Sequence, residues 1–103
     1  TTDLTHCGED YGQLPPAGTT PAEFARRQDA HVLKSIETLD VDAFWRALRD
    51  HEITMCGVAP TALMMEYALA RGARSATLLK YATSADDEPG ADRAVGYPGV
   101  VVR

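Results

Sequence analysis

Apolar residues recur at helical spacing in three stretches of the chain. In the first, Ala25, Val32, Ile36 and Leu39 share one stripe with Phe24 beside it, and Arg26, Arg27, Lys34 and Glu37 fall outside it. Thr20-Pro21-Ala22-Glu23 precedes the stripe: a capping threonine, proline at the first helical position and a glutamate that completes a capping box. A helix is predicted from there to about Leu39. Asp29 and His31 lie inside it; a solvated or locally hydrogen-bonded side chain is the ordinary expectation for both and the preferred one for His31. Asp40 ends this helix and caps the next, where Val41, Phe44, Trp45 and Leu48 are spaced i, i+3, i+4, i+7. Asp42 at its start and Arg49 and His51 at its end suit its dipole, and Trp45 is a packing residue. The third stretch, Ala59 to Arg71, is apolar almost all round, which predicts burial on more than one side, with Met64 and Met65 as core filler. Gly72 closes it with a left-handed cap.

Two strands follow, Ala76 to Thr83 and Ala94 to Val102, separated by an acidic, solvated loop from Ser84 to Arg93. Val100-Val101-Val102 suits an interior strand, while Pro98 points to an edge or a bulge. Residues Thr1 to Gly18 read as irregular, because Gly8, Gly12, Pro15, Pro16 and Gly18 exclude long regular structure. The order of loop, three helices and two strands predicts an α/β fold whose first strands are missing. The opening Thr1-Thr2-Asp3-Leu4-Thr5-His6, with no initiator Met, reads as the loop after a strand of a longer protein. A parallel sheet cut at that strand leaves an open apolar face beside Leu78, Val100, Val101 and Val102 and along the third helix.

The 103 residues are enough for one modest core, and 45% hydrophobic with 24% charged residues is ordinary globular composition. A formal net charge of −5 leaves no basic surface to neutralise phosphates, so nucleic acid and anionic membranes are not expected partners. No apolar run is long enough for a membrane span. Two cysteines, Cys7 and Cys56, do not make a disulfide framework. They are expected as free thiols, in a reducing, cytoplasmic setting.

Candidate chemistry gathers at two places. In Thr54-Met55-Cys56-Gly57-Val58-Ala59-Pro60, Pro60 fits the first turn of a helix and Gly57 tightens the turn before it. Cys56 therefore stands just outside a helix N-terminus, where a thiolate, the form that ligates metals and attacks electrophiles, is favoured. The competing reading is a buried cysteine acting as a small hydrophobe. The second place is Asp3 and His6 on the opening loop. Asp-x-x-His alone is weak, since a turn-forming Asp beside a capping His is the commoner arrangement.

Taken together, five short segments resemble the C-terminal half of the Memo family, in particular the branch called AmmeMemoRadiSam system protein B. Thr1-Thr2-Asp3-Leu4-Thr5-His6-Cys7-Gly8 is similar to the family's Ser-Ser-Asp-Leu-Ser-His-Tyr-Gly. Ile36 to Leu39 with Asp40 resembles its Ile-x-x-Leu-Asp helix end, and Met55-Cys56-Gly57 with Pro60 its Cys-Gly-x-x-Pro turn. Tyr81-Ala82-Thr83-Ser84 and Val95-Gly96-Tyr97 resemble its closing strands.

The resemblance implies a three-layer α/β sandwich related to the class III extradiol dioxygenases, of which residues 1–103 would form the C-terminal portion of a single domain. It implies a pocket holding iron or copper, ligated by a Cys matching Cys56 and by two His from the N-terminal half. Asp3 and His6 match the pocket's Asp and His, the implied catalytic pair, with His6 also able to ligate. The implied activity is of the redox or oxygenase type on an unknown substrate. The alternative is a non-catalytic module that binds a peptide or small ligand through protein contacts. Implied partners are the N-terminal half of the domain and, by association, radical-SAM and AMMECR-domain proteins. Cys7 departs from the family's aromatic residue, which implies a smaller, more oxidisable pocket wall. His31 and His51 match neither N-terminal His ligand.

Overall fold

The computed structural model describes residues 2–88 and 90–103. Thr1 and Pro89, assigned above to the opening segment and the acidic loop, lie outside the described residues. Among those described, the elements run β1 (His6–Gly8), a 3-10 turn (Glu9–Tyr11), α1 (Pro21–Glu37), α2 (Val41–Asp50), α3 (Val58–Ala70), β2 (Ala76–Thr83) and β3 (Arg93–Val102).

The helix starts are set by local chemistry. Thr20 Oγ1 accepts from Glu23 N at 3.2 Å and Glu23 Oε2 accepts from Thr20 N at 3.3 Å, so the box closes around Pro21. Asp40 accepts from Ala43 N at 3.0 Å and starts α2. Between them Leu39 takes a positive φ of 52°, which turns the chain sharply while keeping its side chain in the core.

The α/β class holds, but the sheet is antiparallel, which corrects the parallel expectation. Its order is β1-β3-β2, with β2 and β3 forming a hairpin in which Ala76 faces Val102 and Thr83 faces Gly96. The register shifts between Leu78 and Lys80, so Leu79 stands at a bulge. The opening segment is not wholly irregular: His6, Cys7 and Gly8 pair with Val95, Ala94 and Arg93. Leu4 N and Thr5 O extend that contact onto Gly96. Past Gly96, β3 keeps only β2 beside it, and Pro98 lies in that stretch, where a missing N–H is tolerated.

Helix α1 lies across the sheet and contacts all three strands, and α2 packs on α1. Leu4, Val32, Leu33, Ile36, Leu39, Phe44, Ile53, Met55, Met65 and Ala76 form one core, with Leu78, Val100 and Val102 packed at its edge. Helix α3 buries only Thr61, Ala62 and Met65. Leu63 and Tyr67 on it are 70% and 64% exposed, so burial on more than one side does not hold here. Met64 is likewise at the surface while Met65 fills the core. The open apolar surface therefore lies on α3 and at Leu79 and Tyr97, rather than at Leu78 and the three valines, which are partly buried. Trp45, read as a packing residue, packs its edge on Phe44 and is nearly half exposed. In the acidic loop, Asp86 is anchored: it accepts from Thr83 N at 3.0 Å and Thr83 Oγ1 at 2.6 Å, and pairs with Arg26 at 2.6 Å. No helix among the described residues is long and apolar enough to cross a membrane.

Candidate metal centre

Two loops meet at one end of the sheet. One carries Asp3 and runs into β1, whose first residue is His6. The other is Thr54 to Gly57, which leads into α3 and carries Cys56. They are joined by hydrogen bonds on both sides. Cys56 N donates to Asp3 O at 3.3 Å, and Gly57 N donates to Thr2 Oγ1 at 2.8 Å. Thr54 Oγ1 accepts from His6 N at 2.8 Å and lies 2.9 Å from His6 O, to which it can donate. Gln13 buttresses this junction, with Oε1 3.1 Å from Thr54 Oγ1 and Nε2 donating to Glu52 O at 2.9 Å. Gly57 is required by the close approach: a methyl group there would overlap the Thr2 hydroxyl.

This junction brings Asp3, His6 and Cys56 together, with one potential ligand atom from each within 4.8 Å of the others. Asp3 and His6 are half-buried, and Cys56 is exposed, so the small-hydrophobe reading of Cys56 does not hold. Cys56 Sγ lies 3.7 Å from Thr2 Oγ1 and 3.8 Å from Asp3 O. His6 Nδ1 is 2.8 Å from Leu4 O. A carbonyl only accepts, so Nδ1 carries a proton, and in the neutral imidazole Nε2 then holds the lone pair. The ring of Tyr11 stands edge-on to the imidazole at 5.2 Å.

Cys7 does not line this cluster. It is fully buried on β1, and successive strand residues face opposite ways, so His6 turns to the cluster and Cys7 to the interior. Cys7 therefore packs behind β1 and does not form the wall beside His6 that was expected of it. Burial pushes its thiol pKa up. His31 and His51 lie elsewhere, stacked on each other with centroids 3.7 Å apart and planes 7° from parallel.

One residue behind the cluster escaped the sequence reading. Asp29 on α1, for which a solvated or locally hydrogen-bonded side chain is the ordinary expectation, is fully buried. Its Oδ1 accepts from Thr5 N at 2.9 Å and its Oδ2 from Tyr81 Oη at 2.5 Å. Burial pushes its carboxyl pKa up, against the pull of the bonds from Thr5 and Tyr81. Burial, and then Asp29 itself, holds the Tyr81 phenol far above its usual range. A signal was present: positions 25, 29, 32 and 36 form one helical stripe, and Asp29 fills the place that the apolar residues leave open.

A hollow of about 290 Å³ lies beside the cluster, lined by Thr2, Leu4, Ile36, Pro60, Met64 and Val100 among others.

Comparison with known proteins agrees with the motifs from which these loops are built. The family model described as Memo-like protein matches residues 1–101. A MEMO1 family protein of Methanopyrus kandleri is 36% identical over 83 residues, covering 81% of this chain and 29% of that protein. One of Pyrococcus abyssi is 30% identical over 104 residues, covering 99% of this chain and 36% of that protein. One of Methanosarcina acetivorans is 36% identical over 81 residues, covering 79% and 30%. The chain thus spans about a third of the length of these relatives. With the match running through both loops and all six helices and strands, the chain belongs to the Memo-like family.

Proposed function

We propose that Asp3, His6 and Cys56 form part of a metal centre for iron or copper in a protein with chemistry of the redox or oxygenase type. The observation behind this reading is the convergence of three unlike donors from two loops to within 4.8 Å. The donor set fits such an ion: thiolate and imidazole suit Fe(II) or Cu(I), whereas magnesium and calcium take oxygen donors. Donors sharing one ion at 2.0–2.3 Å lie no more than about 4.6 Å apart, so a small side-chain rotation closes the set. Cys56 ligates through Sγ and His6 through Nε2, the nitrogen left free by the bond to Leu4 O.

A bound ion of this kind supplies Lewis acidity and one-electron chemistry. The remaining work falls to the chain. Asp3 accepts a proton from a bound hydroxyl group. Thr2, shared between Cys56 and the mainly apolar hollow, marks where a small apolar ligand sits beside the ion. Tyr11 shields one edge of the imidazole from water. With Asp3 kept as the base, Cys56 and His6 alone hold an ion weakly, and the two further imidazoles of the resembled site have no match here. These residues are accordingly proposed as the C-terminal portion of a larger cytoplasmic domain of the AmmeMemoRadiSam branch, related to the extradiol dioxygenases. Radical-SAM and AMMECR-domain proteins are its proposed pathway partners.

Metal analysis of the purified protein tests this. Iron or copper that is lost on Cys56→Ser and retained on Cys7→Ser is the expected result; equal content in both variants counts against it. One observation favours a second reading, a module that binds a protein without chemistry: Leu63, Tyr67 and Leu69 stand exposed on α3. That reading predicts binding unaffected by Cys56→Ser and abolished by Tyr67→Glu.

A further inference from the structure

We infer that Asp29 is the positioning residue of the Asp3–His6–Cys56 cluster, acting through the single peptide group between Leu4 and Thr5. Its effect on ligation rests on the metal-centre reading; its effect on the imidazole does not.

Asp29 and His6 bond to opposite ends of one rigid unit. Asp29 Oδ1 accepts from the N–H of Thr5 at 2.9 Å. The carbonyl that receives the His6 Nδ1 proton, at 2.8 Å, is that of Leu4. Leu4 C=O and Thr5 N–H are the two ends of the same peptide group, which is planar and does not twist freely. A carboxylate that fixes the N–H end therefore fixes the direction of the C=O end. An N–H bonded to a carboxylate also makes its carbonyl a stronger acceptor, because hydrogen bonds in series polarise one another. The chain of contacts runs from carboxylate through peptide to imidazole. It selects the neutral tautomer with the proton on Nδ1, which leaves Nε2 as the nitrogen able to ligate. Ligating histidines commonly donate their other N–H to a backbone carbonyl, and here that carbonyl is itself anchored.

The surroundings of Asp29 hold it to this task. Tyr81 Oη occupies its second oxygen at 2.5 Å. Gly96 passes directly beneath, and any side chain there would overlap the carboxylate. Gly96 also exchanges backbone bonds with the same segment, Leu4 N to Gly96 O at 2.9 Å and Gly96 N to Thr5 O at 3.1 Å. An apolar residue at 29 would spare the cost of burying a carboxylate but would leave Thr5 N without its acceptor.

The test measures the imidazole 15N shifts of His6 in the full chain without metal, at about pH 8, above the usual histidine range. Co(II) affinity is then measured on the same samples. The expected Nδ1–H population falls from wild type to Asp29→Asn, which keeps an oxygen but loses the charge, and further to Asp29→Ala. Tyr81→Phe, which removes one bond to Asp29 but leaves Thr5 N its acceptor, lowers it less than Asp29→Asn does. Co(II) affinity falls about 10- to 100-fold in Asp29→Ala, the usual consequence of losing an outer-shell partner. If Asp29→Ala does not fold, Asp29→Asn against Tyr81→Phe decides: equal effects on His6, or none from either, overturn the inference. A tautomer that responds to Asp29 in a protein that binds no Co(II) keeps the positioning role and removes the metal reading. Co(II) binding with an unresponsive tautomer does the reverse.

Discussion

The backbone N–H of Cys56 donates to the carbonyl of Asp3 at 3.3 Å, a direct tie between two residues distant in sequence and adjacent at the cluster. It works with Thr54, whose hydroxyl accepts from His6 N at 2.8 Å. Thr54→Val keeps the shape and removes the hydroxyl. It should cost about 1–3 kcal/mol, because His6 N is left without an acceptor in a half-buried place. It should also weaken metal binding about 10-fold or more by loosening both loops. Urea denaturation and a metal titration on the same variant check both.

The thiols should differ in reactivity. Cys7 is fully buried and its thiol is pushed up by burial, whereas Cys56 is exposed. A thiol reagent added to native protein should modify Cys56 quickly and Cys7 only after denaturant. Denatured, unreduced protein should give two free thiols; finding none would show a bridge between Cys7 on β1 and Cys56 in its loop, which are both free here.

Acid should act through two groups in separate ranges. His31 is depressed below its usual 6.5, first by burial and then by the charges of His51 and Lys34. The folded state then resists a proton that the unfolded chain accepts, so stability falls as pH drops below about 6.5. His31→Gln should flatten that part of the curve. Asp86 is held at about 2 by hydrogen bonds from Thr83, with Arg26 adding to them. Its contribution is present above the unfolded value of 3.8 and is lost as pH falls toward 2. Urea midpoints measured across both ranges separate them, and Thr83→Ala should affect only the lower one.

The exposed apolar residues of α3 should drive association. Leu63 and Tyr67 are 70% and 64% exposed one helical turn apart, with Leu69 nearby. Sedimentation should find concentration-dependent oligomers that Leu63→Glu with Tyr67→Glu disperses. A monomer with one sharp two-state melt would show that this surface needs no cover.

Signals local in sequence were the legible ones. The capping box at Thr20, the Asp40 cap and the turn at Gly72 each sit within a few residues of the structure they cause. The cluster of Asp3, His6 and Cys56 was read from a resemblance and is brought together by the fold. Strand β1 was not legible, because three residues carry no periodicity and its partner Arg93–Val95 lies at the far end of the chain. The antiparallel order escaped for the same reason, since pairing direction is a property of the whole sheet. The burial of Asp29 was legible in part: the stripe through positions 25, 32 and 36 places it inside, while its partners Thr5 and Tyr81 lie far away in sequence. Helix α3 misled in the opposite sense, because an apolar sequence shows what could be buried and not what buries it.

Co(II) titration of the full chain, with Co(II) standing in for Fe(II), bears most directly on the metal centre. A thiolate-to-metal charge-transfer band should grow with added Co(II), vanish in Cys56→Ser, weaken in His6→Ala and persist unchanged in Cys7→Ser. No band in the wild-type chain, or the same band in Cys56→Ser, would mean that the convergence of Asp3, His6 and Cys56 holds two loops together and does not bind a metal.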